Sequence, residues 1–273
     1  MSSHASFQGW RIAISISESP DLAKLGLSPT HLHDVSAEVA RHLLTAGIRL
    51  LYGGDLRAHG FTELLFELVA RYHQGVGGGE AAVTNLLAWP VHASLSHEEI
   101  EGRRQSLGEG GQLVCLTRNG APMSPEERRH MESQRASDIT AQDWAEGLTA
   151  MRRLMTERCA ARVLLGGRVA GYQGSMPGIA EETLLALQGR KPVFLAGGFG
   201  GCARDITETM RLDRSRHGWE PRTWTSREHF AHYGVDDLRN GLSLKENARL
   251  ASTSHADEIA VLVRRGLRRI RGR

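Results

Sequence analysis

Glycine and small polar residues crowd four places in this 273-residue chain, each directly after a short apolar run. Arg11 to Ile16 leads into Ser17-Glu18-Ser19-Pro20-Asp21. Arg49 to Tyr52 leads into Gly53-Gly54-Asp55-Leu56-Arg57, with Thr62 and Glu63 shortly after. Arg162 to Leu165 leads into Gly166-Gly167-Arg168 and then Gly174-Ser175-Met176-Pro177-Gly178. Pro192 to Leu195 leads into Gly197-Gly198-Phe199-Gly200-Gly201. Glycine lets a backbone approach a ligand closely and adopt positive φ. A helix that starts after such a turn offers free N–H groups and a positive dipole end to a phosphate. The chemistry expected is therefore the cradling of an anionic, nucleotide-like molecule. Arg57 and Arg168 sit in these loops as phosphate partners or as solvated residues.

Glu181 and Glu182 follow the third turn. Ser175 reads as the N-cap of their helix, with Pro177 tolerated in its first turn. The two carboxylates then point about 100° apart. One can face a ligand while the other meets solvent or a basic neighbour. A carboxylate beside a ribose can orient water or steady an oxocarbenium-like centre; the alternative is a partner for the helix dipole. Two familiar phosphate motifs are absent: no Gly-x-x-x-x-Gly-Lys-Ser/Thr occurs, and strand one is not followed by Gly-x-Gly-x-x-Gly.

The elements that must position these turns alternate along the chain. Strands are expected at 11–16, 49–52, 82–89, 112–117, 162–165 and 192–195. Helices are expected at 30–46, 61–72, 96–106, 141–159, 176–188 and 257–270. Loops lie at 75–79 and, as a lid-like polar excursion, at 119–135; 211–243 is less regular. Such alternation implies βαβ units, right-handed crossovers and a mostly parallel sheet with helices on both faces, an α/β fold with ligands outside the carboxyl ends of the strands. The chain reads as one domain: a tail over 1–9, a core over 10–210 and a C-terminal helical extension over 211–273 that packs on the core.

Composition bounds the partners. A formal charge of +3 and 5% aromatic residues do not call for nucleic acid. No apolar run is long enough for a bilayer, and residues 1–9 lack the features of a secretory signal. Three isolated cysteines, Cys115, Cys159 and Cys202, suit a reducing cytoplasm. Among thirteen histidines the tightest pairs are His31-x-His33 and His229-x-x-His232, and no carboxylate or cysteine completes a metal set. Neither a metal nor a cofactor is expected. The helix leading into the arginine-rich end, Arg264 to Arg273, has an apolar side in Ile259, Leu262, Val263, Leu267 and Ile270. It reads as a helix docked on its own domain or as an interaction arm.

Met155 to Gly167 resembles the helix, strand and diglycine that precede the signature of LOG proteins, the "lysine decarboxylase-like" phosphoribohydrolases. Gly174 to Glu182 matches their Pro-Gly-Gly-x-Gly-Thr-x-x-Glu in length, keeps Gly178 and Glu182, and departs at Ser175, Met176 and Ile179. Arg168 to Gln173 is inserted. Lys191 to Leu195 and the Tyr52-Gly53-Gly54 turn are also similar. With Ser17 to Leu22, Tyr52 to Arg57 and Met176 to Glu182, the chain resembles the wider SLOG superfamily over most of residues 10–200. It is closest to the prokaryotic branch related to the cytosolic ligand-binding domain of TRPM channels. The resemblance implies a Rossmann-like fold and recognition of NAD- or ADP-ribose-like molecules, as signals in prokaryotic antiviral defence. It also implies a homo-oligomer that acts through a separate effector protein. The alternative it implies is hydrolysis of a nucleotide N-glycosidic bond, with Glu182 and Glu181 handling water or charge. Arg152 stands near the arginine that LOG enzymes use, one position out of register; Arg152 or Arg153 then binds phosphate, or is an ordinary exposed helix residue. On that reading Glu182→Ala removes any turnover and leaves the fold intact.

Overall fold

The computed structural model describes residues 7–54, 61, 65, 67–68, 81–108, 110–131, 133–212 and 222–272. The expected loop at 75–79, most of the helix at 61–72, and the candidate residues Asp55, Arg57, Thr62 and Glu63 lie outside the described residues. The fold is α/β. Strands β1 (Arg11–Ser17), β2 (Arg49–Tyr52), β3 (Val83–Leu87), β4 (Gly111–Cys115), β5 (Ala161–Gly166) and β6 (Val193–Ala196) form a sheet of order β4-β3-β2-β1-β5-β6. Its β2–β3, β3–β4 and β5–β6 ladders are parallel. Helix α1 (Pro29–Leu44) follows β1, and His31 Nδ1 lies 2.9 Å from Ser28 Oγ at its start. The chain divides into two compact units, residues 1–12 with 40–159 and residues 13–39 with 160–273.

The first unit holds β2, β3 and β4 with helices α2 (Trp89–Ala93), α3 (His97–Ser106), α4 (Pro125–His130) and α5 (Ala141–Arg158). Pro90 does not simply end strand three. It sits in the first turn of α2, where its missing N–H costs nothing. Three of these helices open on capping boxes, Ser96 with Glu99, Ser124 with Glu127, and Thr140 with Asp143. The excursion at 119–135 therefore contains a capped helix. It is also pinned from inside: Arg128 is fully buried and donates to the carbonyls of His92 (2.9 Å) and Leu95 (2.6 Å). Arg118 lies 3.7 Å over the Trp89 ring and pairs with Asp143.

His92 is buried beside Arg128, with Nε2 2.8 Å from the Leu116 carbonyl. Burial above all, against the pull of that carbonyl and with the Arg128 charge, lowers its pKa from 6.5 to about 4. A histidine depressed in the fold takes its proton first in the unfolded chain. Stability should be fully present above pH 6.5 and decline by on the order of 3 kcal/mol as pH falls to about 4. Denaturant titrations across this window should show that slope in the wild type and a flatter one in His92→Gln.

The second unit holds β5 and β6 with α6 (Gly178–Gln188), α7 (Gly201–Thr209), α8 (Leu244–Ser252) and α9 (Ala256–Arg271). Every residue of β5 is buried, as a strand flanked on both sides requires. Ile179, Val193, Leu195, Cys202, Ile206, Trp224 and Phe230 belong to one apolar cluster. The C-terminal helix docks on its own unit: Ile259, Leu262, Val263 and Leu267 are buried, and a Cβ on Gly266 would meet Phe194 Cε1 at 2.5 Å. Arg265 (2.9 Å) and Arg269 (2.6 Å) pair with Glu246, at the start of α8. Asn240 fastens the preceding turn to β6 through the Val193 carbonyl, at 2.8 Å.

Candidate functional site

Within the second unit the ends of β1, β5 and β6 are tied together by backbone. Gly167 N–H donates to the Ser17 carbonyl (3.0 Å), and Cys202 N–H to the Gly167 carbonyl (2.9 Å). Gly166 has φ +64°, and a Cβ there would stand 2.4 Å from the Ser17 oxygen; only glycine allows this approach. Gly198 is equally constrained, since its Cβ would lie 2.0 Å from the Thr253 carbonyl oxygen, and a Cβ on Gly197 would lie 2.4 Å from that of Ala251. These four glycines of the expected cradle are thus packed against the protein's own chain.

The two helix starts differ. The start of α7 is filled from inside, because Gly201 N–H donates to Asp21 Oδ2 at 2.7 Å. Asp21, only 2% exposed, also accepts a two-pronged pair from Arg222 (2.7 and 2.9 Å) and faces Arg204 Nη1 at 3.4 Å. Arg222 in turn reaches Asp205 (2.7 Å), which accepts from Trp224 Nε1 (3.0 Å). Among the described residues no side chain bonds the start of α6 in this way. Its N-cap is Pro177, not Ser175, and it carries no side-chain cap. Proline offers neither a side-chain acceptor nor an N–H, so the helix begins two residues later than the serine suggested. Ser175 is exposed, Gly174 and Gly178 are half-buried, and the half-buried Met176 packs on the apolar cluster.

Neither glutamate points to solvent: Glu181 is 6% and Glu182 7% exposed. Glu182 meets the basic neighbour, accepting from Arg162 Nη1 at 2.6 Å. Arg162, fully buried on β5, also donates to Ser15 Oγ at 3.0 Å. Its charge offsets Glu182, leaving the positive end of α6 less opposed. Alanine at 182 would take a carboxylate from that buried guanidinium, so a loss of stability is expected there rather than an intact fold. Glu18 and Arg168 form a pair at 2.5 Å with both side chains about half exposed (56% and 48%). Ser19 Oγ accepts from Asp21 N–H at 3.2 Å. Burial pushes the Cys202 thiol well above its ordinary range, and all three cysteines are buried and unbridged.

In the first unit, Gly53 lies under α5: a Cβ there would meet Met155 Sδ at 2.6 Å and Met151 Cε at 2.8 Å. Arg152, on the same helix, is 8% exposed, so the default of an exposed helix arginine fails for it; Arg153 is the exposed one. Gly54 N–H donates to Asn85 Oδ1 at 3.1 Å. That bond fixes the amide's orientation and leaves Asn85 Nδ2, fully buried in β3, without an acceptor among the described residues. Such an orphan donor suits a water or a ligand oxygen. Sequence reasoning missed Asn85, Arg162, Arg204 and Arg222 because single polar residues in apolar or irregular runs carry no spacing signal. No group of three potential metal ligands occurs among the described residues, and no helix among them is long and apolar enough to cross a membrane.

A family model described as SLOG cluster2 matches residues 6–220. No curated protein matches.

Proposed function

The chain belongs to the SLOG cluster2 family, and from that premise we propose that it binds a nucleotide-derived small molecule, NAD- or ADP-ribose-like, at the α6 edge of its second unit, as a sensor. The observation that carries this reading is the contrast between the two helix starts. One is already occupied by the Asp21 carboxylate, whereas the other has no side-chain cap. A helix start without a cap accepts a phosphate readily. Among the described residues Arg168 is held only by a half-exposed carboxylate, a pairing weak enough to exchange for a phosphate.

Sensing is favoured over hydrolysis because Glu182 is engaged by Arg162 at 2.6 Å. As a sensor in prokaryotic antiviral defence, the chain acts as a homo-oligomer through a separate effector. Calorimetry with ADP-ribose and NAD, alongside chromatography for released base, tests this. Binding without base release is the expected result. Arg168→Ala should weaken binding about tenfold while leaving the melting temperature nearly unchanged. Release of base would establish the N-glycosidic hydrolase instead, and no binding would end both readings. Light scattering with and without ADP-ribose checks the assembly.

A further inference from the structure

The first unit contains a cavity of about 710 Å³ whose lining draws arginines from three separate elements. Arg11 is the first residue of β1, Arg104 lies in the last turn of α3, and Arg158 is the last residue of α5. The floor is sheet. The register sets Leu51 beside Thr84 and Thr84 beside Gln112, which places these lining residues on one face. Leu107, Pro122 and Met123 add apolar wall. No acidic residue lines the cavity among the described residues. Arg104 has a carboxylate, Glu101, at 3.4 Å, itself 42% exposed; Arg11 and Arg158 are exposed. With Arg11 and Gly111 opening their strands, the cavity reaches the amino ends of β1 and β4. The Gly53-Gly54 turn lies at the carboxyl end of β2.

Three guanidiniums brought to one hollow from separate elements make the potential there positive, which attracts anions. The volume is that of a small-molecule site. We propose that this cavity binds an organic anion with at least two phosphate or carboxylate charges on an apolar or planar body. The body rests on Leu51, Leu107 and Met123, and the guanidiniums take the charges, Arg pairing with planar oxyanions through two parallel N–H bonds. The site is independent of the α6 edge and would give the protein a second ligand input.

Fluorescence anisotropy with a trisulfonated pyrene, and calorimetry with ATP, test the assignment on the full chain. Both probes should bind the wild type and weaken as salt is raised. Inorganic tripolyphosphate, which has charge without a body, should bind more weakly than ATP. The double variant Arg11→Ala, Arg158→Ala changes two exposed residues and should lose about tenfold or more in affinity for both probes. The proposal is overturned if neither probe binds, or if the double variant binds them as the wild type does. It is equally overturned if Arg168→Ala, rather than the double variant, abolishes their binding.

Discussion

Glu182→Ala should destabilise the protein by about 3–5 kcal/mol, the usual cost of removing one member of a buried ion pair. Arg162 is fully buried and donates to Glu182 at 2.6 Å, so the alanine variant takes a carboxylate from an interior guanidinium that also donates to the neutral Ser15 Oγ at 3.0 Å. For a chain of this size the melting midpoint should fall by roughly 10 °C. Glu182→Gln keeps an oxygen in place and should lose less. Replacing both partners together, Arg162→Met with Glu182→Leu, should recover most of the loss, since two apolar side chains need no solvation. Denaturant melts of the wild type, Arg162→Met, Glu182→Leu and the double variant form a double-mutant cycle. A wild-type-like midpoint for Glu182→Ala would show that the pair does not hold in solution and would return Glu182 to the chemistry its place in the LOG-like signature suggests.

The strands were the most legible part of the sequence. Each is a short apolar run closed by glycine, proline or a polar turn, and β2 begins and ends where its residue types change. Of the described helices four escaped, α2, α4, α7 and α8. Helix α7 begins inside the glycine-rich run at Gly201, where composition speaks against a helix. It forms because Asp21 caps its first N–H and Ile206 and Cys202 are buried in the cluster. Helix α8 did carry a signal: Ser243 and Glu246 form a capping box, the Ser-x-x-Glu pattern of a helix start. The Ser28-Pro29 start of α1 was legible for the same reason, a turn residue followed by the imino acid that suits a first helical turn.

The candidate site was legible as a place and not as an arrangement. A glycine in a turn says that something approaches its backbone closely; it does not say whether that is a ligand or the protein itself. At Gly166 and Gly198 it is the protein, the Ser17 and Thr253 carbonyls. The two glutamates of α6 likewise read as a pair with separate roles, whereas both are buried and one is neutralised by an arginine twenty residues earlier in the chain. Long-range ion pairs of this kind depend on how β5 and α6 come together, and no local spacing encodes that. Arg168 and Glu18 meet across 150 positions for the same reason.

Asp21 tests the other helix start. Asp21→Ala should cost about 3–5 kcal/mol, because it removes the acceptor of the Gly201 N–H and of two of the Arg222 bonds and takes one carboxylate from Arg204, which is only 4% exposed and keeps Asp205 and Glu208. What remains is a helix N-terminus beside two guanidiniums that share the Asp205 carboxylate, so the place left by Asp21 still offers N–H donors to a phosphate. Inorganic phosphate should therefore restore part of the lost stability in Asp21→Ala, at an ionic strength matched with chloride. The wild type, whose own carboxylate already fills the position, should gain no more from phosphate than from chloride. Asp21→Asn retains an oxygen for the Gly201 N–H but no charge for the arginines, so it should fall between the two and respond less to phosphate. Denaturant melts of the three proteins in both salts measure this directly. Equal midpoints for wild type and Asp21→Ala would mean that α7 does not depend on the carboxylate. The contrast between a filled and an uncapped helix start, on which the ligand assignment rests, would then lose its first half.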